Sequence, residues 1–325
     1  MNYKTLGKTG IEVSELSFGT LILGWLQANM TEEEGVPAIE RALDLGINFF
    51  DTAQSYRTQT HLRAGLGTRK DNVVIAGKTH ERTRAGAQKA FEESLKELDR
   101  ETIDIYDFHL IDSAADLATR QPVLDYFLEL KEAGRIRAIG ASVHKVEAAK
   151  VVAAHPDIDV IFPVLNSHGL GITDGTREDM LDACKTAAEN DKGIYVMKPL
   201  GGGHLRQAAL EAFTYLRDSR LVDSICVGMK SPAEVEMNVR LFEGQTVSPD
   251  ILAQVETVPR TLRIYDRCVG CGACIDTCDQ GALSLDLSKA DESRGKKGQS
   301  VVDHDKCILC GYCAEVCPEF TLRII

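Results

Sequence analysis

Eight short apolar runs recur from residue 16 onward: LSFGT (16–20), INFF (47–50), NVVIAG (72–77), IDIYDF (103–108), IRAIGA (136–141), DVIFPVL (159–165), IYVM (194–197) and DSICVG (223–228). Amphipathic stretches of helical length, such as GAQKAFEESLKEL and REDMLDACKTAAEN, separate them. Eight strands each followed by a helix is the count of an α/β fold, the (β/α)8 or TIM barrel. Near-continuous apolar character suits parallel strands covered by helices. A doubly wound sheet is the competing arrangement, but no G-x-G-x-x-G follows the first run. Ahead of the first run, MNYKTLGKTGIEVSEL predicts an N-terminal hairpin turning at Gly7–Gly10.

Beyond EVEMNVRLFEG the chain changes character. A polar link with Pro249 and Pro259 leads into CVGCGACIDTC (268–278) and, after a charged insertion at 288–299, CILCGYCAEVCP (307–318). The expected organisation is a barrel at 1–243, a linker at 244–262 and a small α+β domain at 263–325. Of ten cysteines, only Cys184 and Cys226 lie outside the second region. The two runs repeat at an offset of 39, cysteine on cysteine. A C-x2-C-x2-C loop wraps three thiolates round one face of a cubane, and in two-cluster domains the last Cys of each run ligates the other cluster. That assigns Cys268, Cys271, Cys274 and Cys317 to one cluster, and Cys307, Cys310, Cys313 and Cys278 to the second. Gly270, Gly272 and Gly311 let backbone amides approach the sulfurs. Structural zinc is the plain alternative, but it favours paired C-x2-C knuckles further apart. The region resembles a bacterial-type ferredoxin domain with two [4Fe-4S] clusters. One departure is Asp279, where the first run would often carry Pro.

Thiols kept for metal imply a reducing compartment, so the expected setting is cytoplasmic, soluble and low in oxygen. The start lacks a basic-then-apolar leader and no run is long enough to cross a bilayer. A formal charge of −12 argues against nucleic acid and against an anionic membrane as partners.

In such a barrel, catalytic groups gather at the carboxyl ends of strands. Three successive runs end in ionisable residues: Asp51 after INFF, Lys78 after NVVIAG and His109 after IDIYDF. Tyr56 follows in DTAQSY. Singly, each reads as a helix cap or a satisfied polar residue; at one rim they form a catalytic constellation. A nearby ammonium is expected to lower the phenol of Tyr56, making it a general acid tuned by Lys78, itself held by Asp51. His109 would orient a carbonyl oxygen.

With its hairpin start, this constellation resembles the aldo-keto reductases over residues 3–243. DTAQSY, GKT, FHLID, GRIRAIGAS, VMKPLGGG and VGMKSPAEVEMN occur in order. The resemblance implies metal-free carbonyl reduction with NADPH by a Tyr-Lys-His-Asp tetrad, here Tyr56, Lys78, His109 and Asp51. It implies cofactor contacts from Ser142, Asn166, the KPLG stretch Lys198, Pro199, Leu200 and Gly201, and Gly228. Lys230 and Ser231 would meet the 2′-phosphate, with Glu234 and Asn238 near the adenine. Ser231 and Pro232 also read as an ordinary capped helix start, and a helix start is itself a phosphate site.

The departures sit at the nicotinamide end. Arg57 follows the tyrosine where the family has Gly. Val143 stands where Asn is usual, Phe162 where Gln is usual, and Met197 where an aromatic often stacks. An apolar neighbour leaves a buried amide unpaired at about 1–3 kcal/mol per lost partner. Clusters move single electrons whereas a hydride carries two, so a flavin seated by KPLGGGHL and GMKS would split the pair. The glycine triplet reads equally as a tight turn. The leading expectation is NADPH-dependent reduction of a small carbonyl compound, coupled to or regulated by two clusters and served by a redox protein partner. A flavin-assisted oxidoreductase and a non-catalytic electron carrier or redox sensor are the alternatives.

Overall fold

The computed structural model describes residues 1–325. Strands β1 (Tyr3–Thr5) and β2 (Glu12–Ser14) pair antiparallel with Tyr3 opposite Ser14. The turn between them ends on Gly10 in the left-handed region (φ 69°), which costs glycine nothing. The hairpin's Leu6, Ile11 and Val13 pack with Phe49, Val74, Ile105 and Tyr195, plugging the amino-terminal end of an eight-stranded barrel.

The barrel strands are parallel and close on themselves. They are β3 (Leu16–Gly19), β4 (Phe49–Asp51), β5 (Val74–Thr79), β6 (Ile103–Ile111), β7 (Ile136–Val143), β8 (Val160–Pro163), β9 (Gly193–Val196) and β10 (Ser224–Val227). Neighbours follow chain order and β10 returns to β3, with Ile225 opposite Leu16. Closure excludes the doubly wound sheet, and each strand falls on one of the eight apolar runs. Several of the barrel helices begin at capping side chains: Thr31, Thr83, Thr176 and Ser231 each accept from a backbone N–H three residues on.

The segment 244–262, read from sequence as a polar linker, contains the helix Pro249–Glu256. Ser248 caps it, Pro249 opens it, and Ile251 and Val255, four residues apart, bury one face against the helix Pro232–Phe242. The last region holds two antiparallel pairs. Strand β11 (Leu262–Ile264) pairs with β14 (Leu322–Ile324), and β12 (Leu283–Asp286) pairs with β13 (Gln299–Val302). Two short helices, Ala273–Asp276 and Tyr312–Glu315, each follow a left-handed glycine, Gly272 (φ 88°) and Gly311 (φ 94°), so the sequence repeat is also a structural one.

This region lies on the barrel's carboxyl-terminal rim. Arg263 donates to the Gln27 carbonyl at 2.8 Å and the Tyr265 hydroxyl to that of Leu26 at 3.1 Å, on the loop after β3. His204 Nε2 meets the Leu322 carbonyl at 3.0 Å and Arg206 donates to that of Leu309 at 3.1 Å, both from the loop after β9. Glycines make the approach close. A Cβ on Gly203 would stand 2.3 Å from the Ile324 oxygen, and one on Gly202 2.7 Å from the Arg323 side chain. The glycine triplet, read from sequence as a tight turn or a phosphate cradle, seats β14.

Candidate active site

Asp51 ends β4 and Lys78 lies in β5, whose register sets Lys78 beside Asp107 of β6. Both side chains of the Asp51–Lys78 ion pair are buried. The ammonium also donates to the Thr52 carbonyl at 2.7 Å. Beneath it the Tyr195 hydroxyl donates to Asp107 at 2.6 Å and lies 3.3 Å from Asp51. Burial raises both carboxyls; for Asp107, Lys78 and Tyr195 oppose it, Asp51 adds to it, and the value reaches about 7. Asp107 and Tyr195 escaped the sequence reading because each sits inside an apolar run. An acid within an otherwise apolar buried strand was the available signal. Gly140 makes room for it, since a Cβ there would come 2.0 Å from Asp107 Oδ1.

A turn at Gln54–Tyr56 carries Tyr56 back over the rim, and Arg57 follows at φ 56°. That left-handed backbone accounts for the glycine expected there. The Arg57 guanidinium lies 5.1 Å over the Trp25 ring. Lys78 Nζ stands 5.2 Å from the Tyr56 ring centroid, yet the phenol itself makes no hydrogen bond within the chain. Its proton is held well above the ordinary value, by burial first and then by Asp51, Cys226 and Asp107. The expected lowering by Lys78 is therefore corrected: the ammonium is spent on Asp51 and Thr52, and the carboxylates face the phenol. His109 meets Tyr56 edge-on at 5.4 Å and stacks on His80 at 3.8 Å. Burial and its cationic neighbours keep His109 neutral, and its Nδ1 has no partner. It sits where the β6–β7 register breaks between Phe108 and Ile111, a bulge that re-aims the side chain. Ser142 fills that break by accepting from Leu110 N at 2.8 Å.

The eight cysteines of the last region line two hollows. Cys278, Cys307, Cys310 and Cys313 surround one, and Cys268, Cys271, Cys274 and Cys317 the other. Backbone N–H groups of Ser300, Ala282 and Thr321 donate to the sulfurs of Cys268, Cys278 and Cys317 at 3.5, 3.4 and 3.3 Å. Such bonds stabilise thiolate charge and tune cluster potential.

Residues 15–220 match the model of the aldo/keto reductase family, and residues 267–320 that of the 4Fe-4S dicluster domain. The chain belongs to the aldo/keto reductase family. It is an oxidoreductase carrying a 4Fe-4S domain. Aldo-keto reductase YhdN of Bacillus subtilis is 31% identical over 182 residues, which span 51% of this chain and 54% of that protein. L-galactose dehydrogenase of Arabidopsis thaliana is 24% identical over 301 residues, 78% of this chain and 93% of that one. The fold matches aldo-keto reductase AKR11C1 from Bacillus halodurans, solved in its holo form, with TM-score 0.64 at 22% identity, covering 79% of this chain and 95% of that chain.

In this aldo/keto reductase the residues expected to hold a dinucleotide are engaged within the chain. Asn166 donates to the Leu170 and Lys198 carbonyls and accepts from the His168 and Leu170 amides, which uses its whole amide. Phe162 stacks on Tyr195 at 3.8 Å. Lys198 Nζ lies 3.1 Å from His144 Nε2; Pro199, Leu200 and Gly201 lead into the glycines under β14, and Gly228 packs on Ile22. At the other end Lys230 donates to the Pro259 carbonyl at 2.6 Å. Ser231 caps its helix, and Glu234 pairs with Arg260 at 2.7 Å. Among these residues, Asn238 Oδ1 alone is buried without a partner. The nicotinamide end does not fit the group; the adenine end keeps one free acceptor under a covering segment.

Proposed function

We propose that this family member converts small carbonyl compounds at the rim bearing Asp51, Tyr56, Lys78 and His109, exchanging electrons with two [4Fe-4S] clusters seated on that rim. Cys268, Cys271, Cys274 and Cys317 hold one cluster, and Cys307, Cys310, Cys313 and Cys278 the other. The observation that carries the reading is the contact of the cluster-bearing region with the mouth: Phe320, three residues after Cys317, lies under Lys198 Nζ at 5.6 Å. When bound, the clusters would supply electrons one at a time, and the two that a carbonyl takes up are matched by one proton from Tyr56 at oxygen and one from solvent water at carbon, giving the alcohol. Tyr56, firmly protonated, donates a hydrogen bond to the carbonyl oxygen and gives up its proton as negative charge develops there. Neutral His109 orients the same oxygen, while Asp51 fixes Lys78 beneath the phenol.

The test is anaerobic. Protein reduced with dithionite and freed of excess is mixed with aldehydes and ketones, and cluster oxidation is followed by electron paramagnetic resonance. Carbonyl-dependent oxidation in the wild type, at least a hundredfold slower in Tyr56→Phe, supports the reading. NADPH-driven turnover that persists unchanged in Cys271→Ser and Cys310→Ser overturns it. The free Asn238 acceptor favours a second reading, NADP(H)-dependent reduction, which requires residues 257–263 to lift from Lys230 and Glu234. No observation on the rim favours a flavin.

A further inference from the structure

The recess between the barrel mouth and the cluster-bearing region gathers basic groups with no acid opposite them. Lys198 follows β9 with left-handed backbone (φ 57°). Its Nζ has His144 Nε2 as its hydrogen-bonding neighbour at 3.1 Å and the Phe320 ring at 5.6 Å. Lys198, His144 and His109 all keep some solvent exposure, so they line a space rather than fill a core. Arg323 and Arg267 both bear on Lys198 and His144, and His109 bears on His144. The two arginines themselves donate only to the Phe320 carbonyl, at 3.2 and 3.3 Å.

Acids on neighbouring elements are spent elsewhere. Asp112 pairs with Lys145 at 3.6 Å, Asp174 accepts the amides of Val146 and Glu147, and Asp51 and Asp107 serve Lys78 and Tyr195. An ammonium drawn into a protein without a carboxylate is unfavourable. Here Lys198 is held well toward its neutral form, by burial first and then by Arg323 and Arg267. Arg323 also faces Cys317 and Arg267 directly precedes Cys268, so the arginines serve the cluster thiolates as well, and Lys198 with His144 beside it is the pair that carries the subsite.

The geometry points to a carboxylate subsite: Lys198, with His144 beside it and Arg323 and Arg267 behind, receives the acid group of a small oxo acid whose carbonyl meets Tyr56 and His109. This subsite rests on the proposed carbonyl chemistry and names its substrate class. A phosphate on a dinucleotide or flavin shares the anion chemistry. The backbone at 202–203 that would cradle such a phosphate lies under β14, so the substrate's own carboxylate is the occupant.

Binding is measured by calorimetry on anaerobically purified Tyr56→Phe protein, in which turnover cannot interfere. The probes are pyruvate, acetoacetate, their methyl esters, NADP+ and FMN. At least one acid binding tenfold or more tightly than its ester supports the subsite, provided Lys198→Met loses that preference and Lys198→Arg retains it. Unchanged cluster absorbance in both variants certifies the fold. Equal affinity for acid and ester, no binding of either acid, or an undiminished preference in Lys198→Met overturns it. Displacement of the acid by NADP+ or FMN, with their affinity also lost in Lys198→Met, assigns the site to a cofactor phosphate and overturns it too. Acid-selective binding without carbonyl turnover in the wild type would leave the subsite standing and remove only the carbonyl reading.

Discussion

Asp107 is an acid inside a barrel. Its carboxyl, raised to about 7 from an ordinary 3.8, makes stability depend on pH. Below about pH 4 both folded and unfolded chains hold the proton. Between pH 4 and about 7 the unfolded chain has released it while the folded one has not, so stability falls with rising pH across that window and then levels. Asp107→Asn keeps an acceptor for Tyr195 without the charge. It is expected to flatten that slope and to exceed the wild type above pH 7 by up to about 4 kcal/mol, read as thermal midpoints from pH 4 to 8. A wild-type profile already flat across the window would refute the assignment. Asp51, Lys78 and His109 were legible in the sequence because each ends an apolar run, where a barrel displays chemistry. Tyr195 and Asp107 were not, since a strand buried on both faces hides which residue points to the axis. The phenol of Tyr56 misled for a related reason: proximity to Lys78 was readable, but the carboxylates competing for that ammonium belong to other strands.

At the scale of elements, the eight strands and the hairpin were legible from short continuous apolar runs and turn chemistry, which are local. The helix Pro249–Glu256 carried its own marks in Ser248, Pro249 and the pair Ile251 and Val255, but two prolines in a polar stretch masked them. The glycine triplet was the least legible element, because its partner strand lies about 120 residues further along the chain. Gly203→Val is expected to unseat β14, adding overpacking of about 1–3 kcal/mol to left-handed strain at φ 92°. Gly244→Ala, also at positive φ but with nothing within 4 Å of a Cβ, controls for the strain. Faster proteolysis within 257–262 in Gly203→Val but not in Gly244→Ala is the expected pattern, and equal rates would show that the close approach does not hold the strand.

At the scale of the molecule, the chain joins a two-electron fold to one-electron carriers. About eight irons and eight sulfides per chain are expected from anaerobic preparations. Cys271→Ser and Cys310→Ser alter exposed positions in different hollows, so each is expected to perturb one cluster's resonance signal and spare the other's. Stoichiometric zinc without labile sulfide would refute the cluster assignment. From sequence, the length of 244–262 shows only that the last region can reach the mouth. The contacts that decide the docking, at residues 26–27, 202–206 and 320–324, are tertiary. One of them governs traffic. The loop that would cradle a dinucleotide's phosphates already supports β14, so occupancy of that loop is an exclusive-or. On the second reading, a dinucleotide would have to lift this strand as well as residues 257–263 before it binds, and its apparent affinity would fall by the fraction of molecules in which they are lifted. By reciprocity, a dinucleotide bound there weakens the docking of the clusters by the same factor. On the proposed chemistry, a single molecule would therefore draw its electrons through one door at a time.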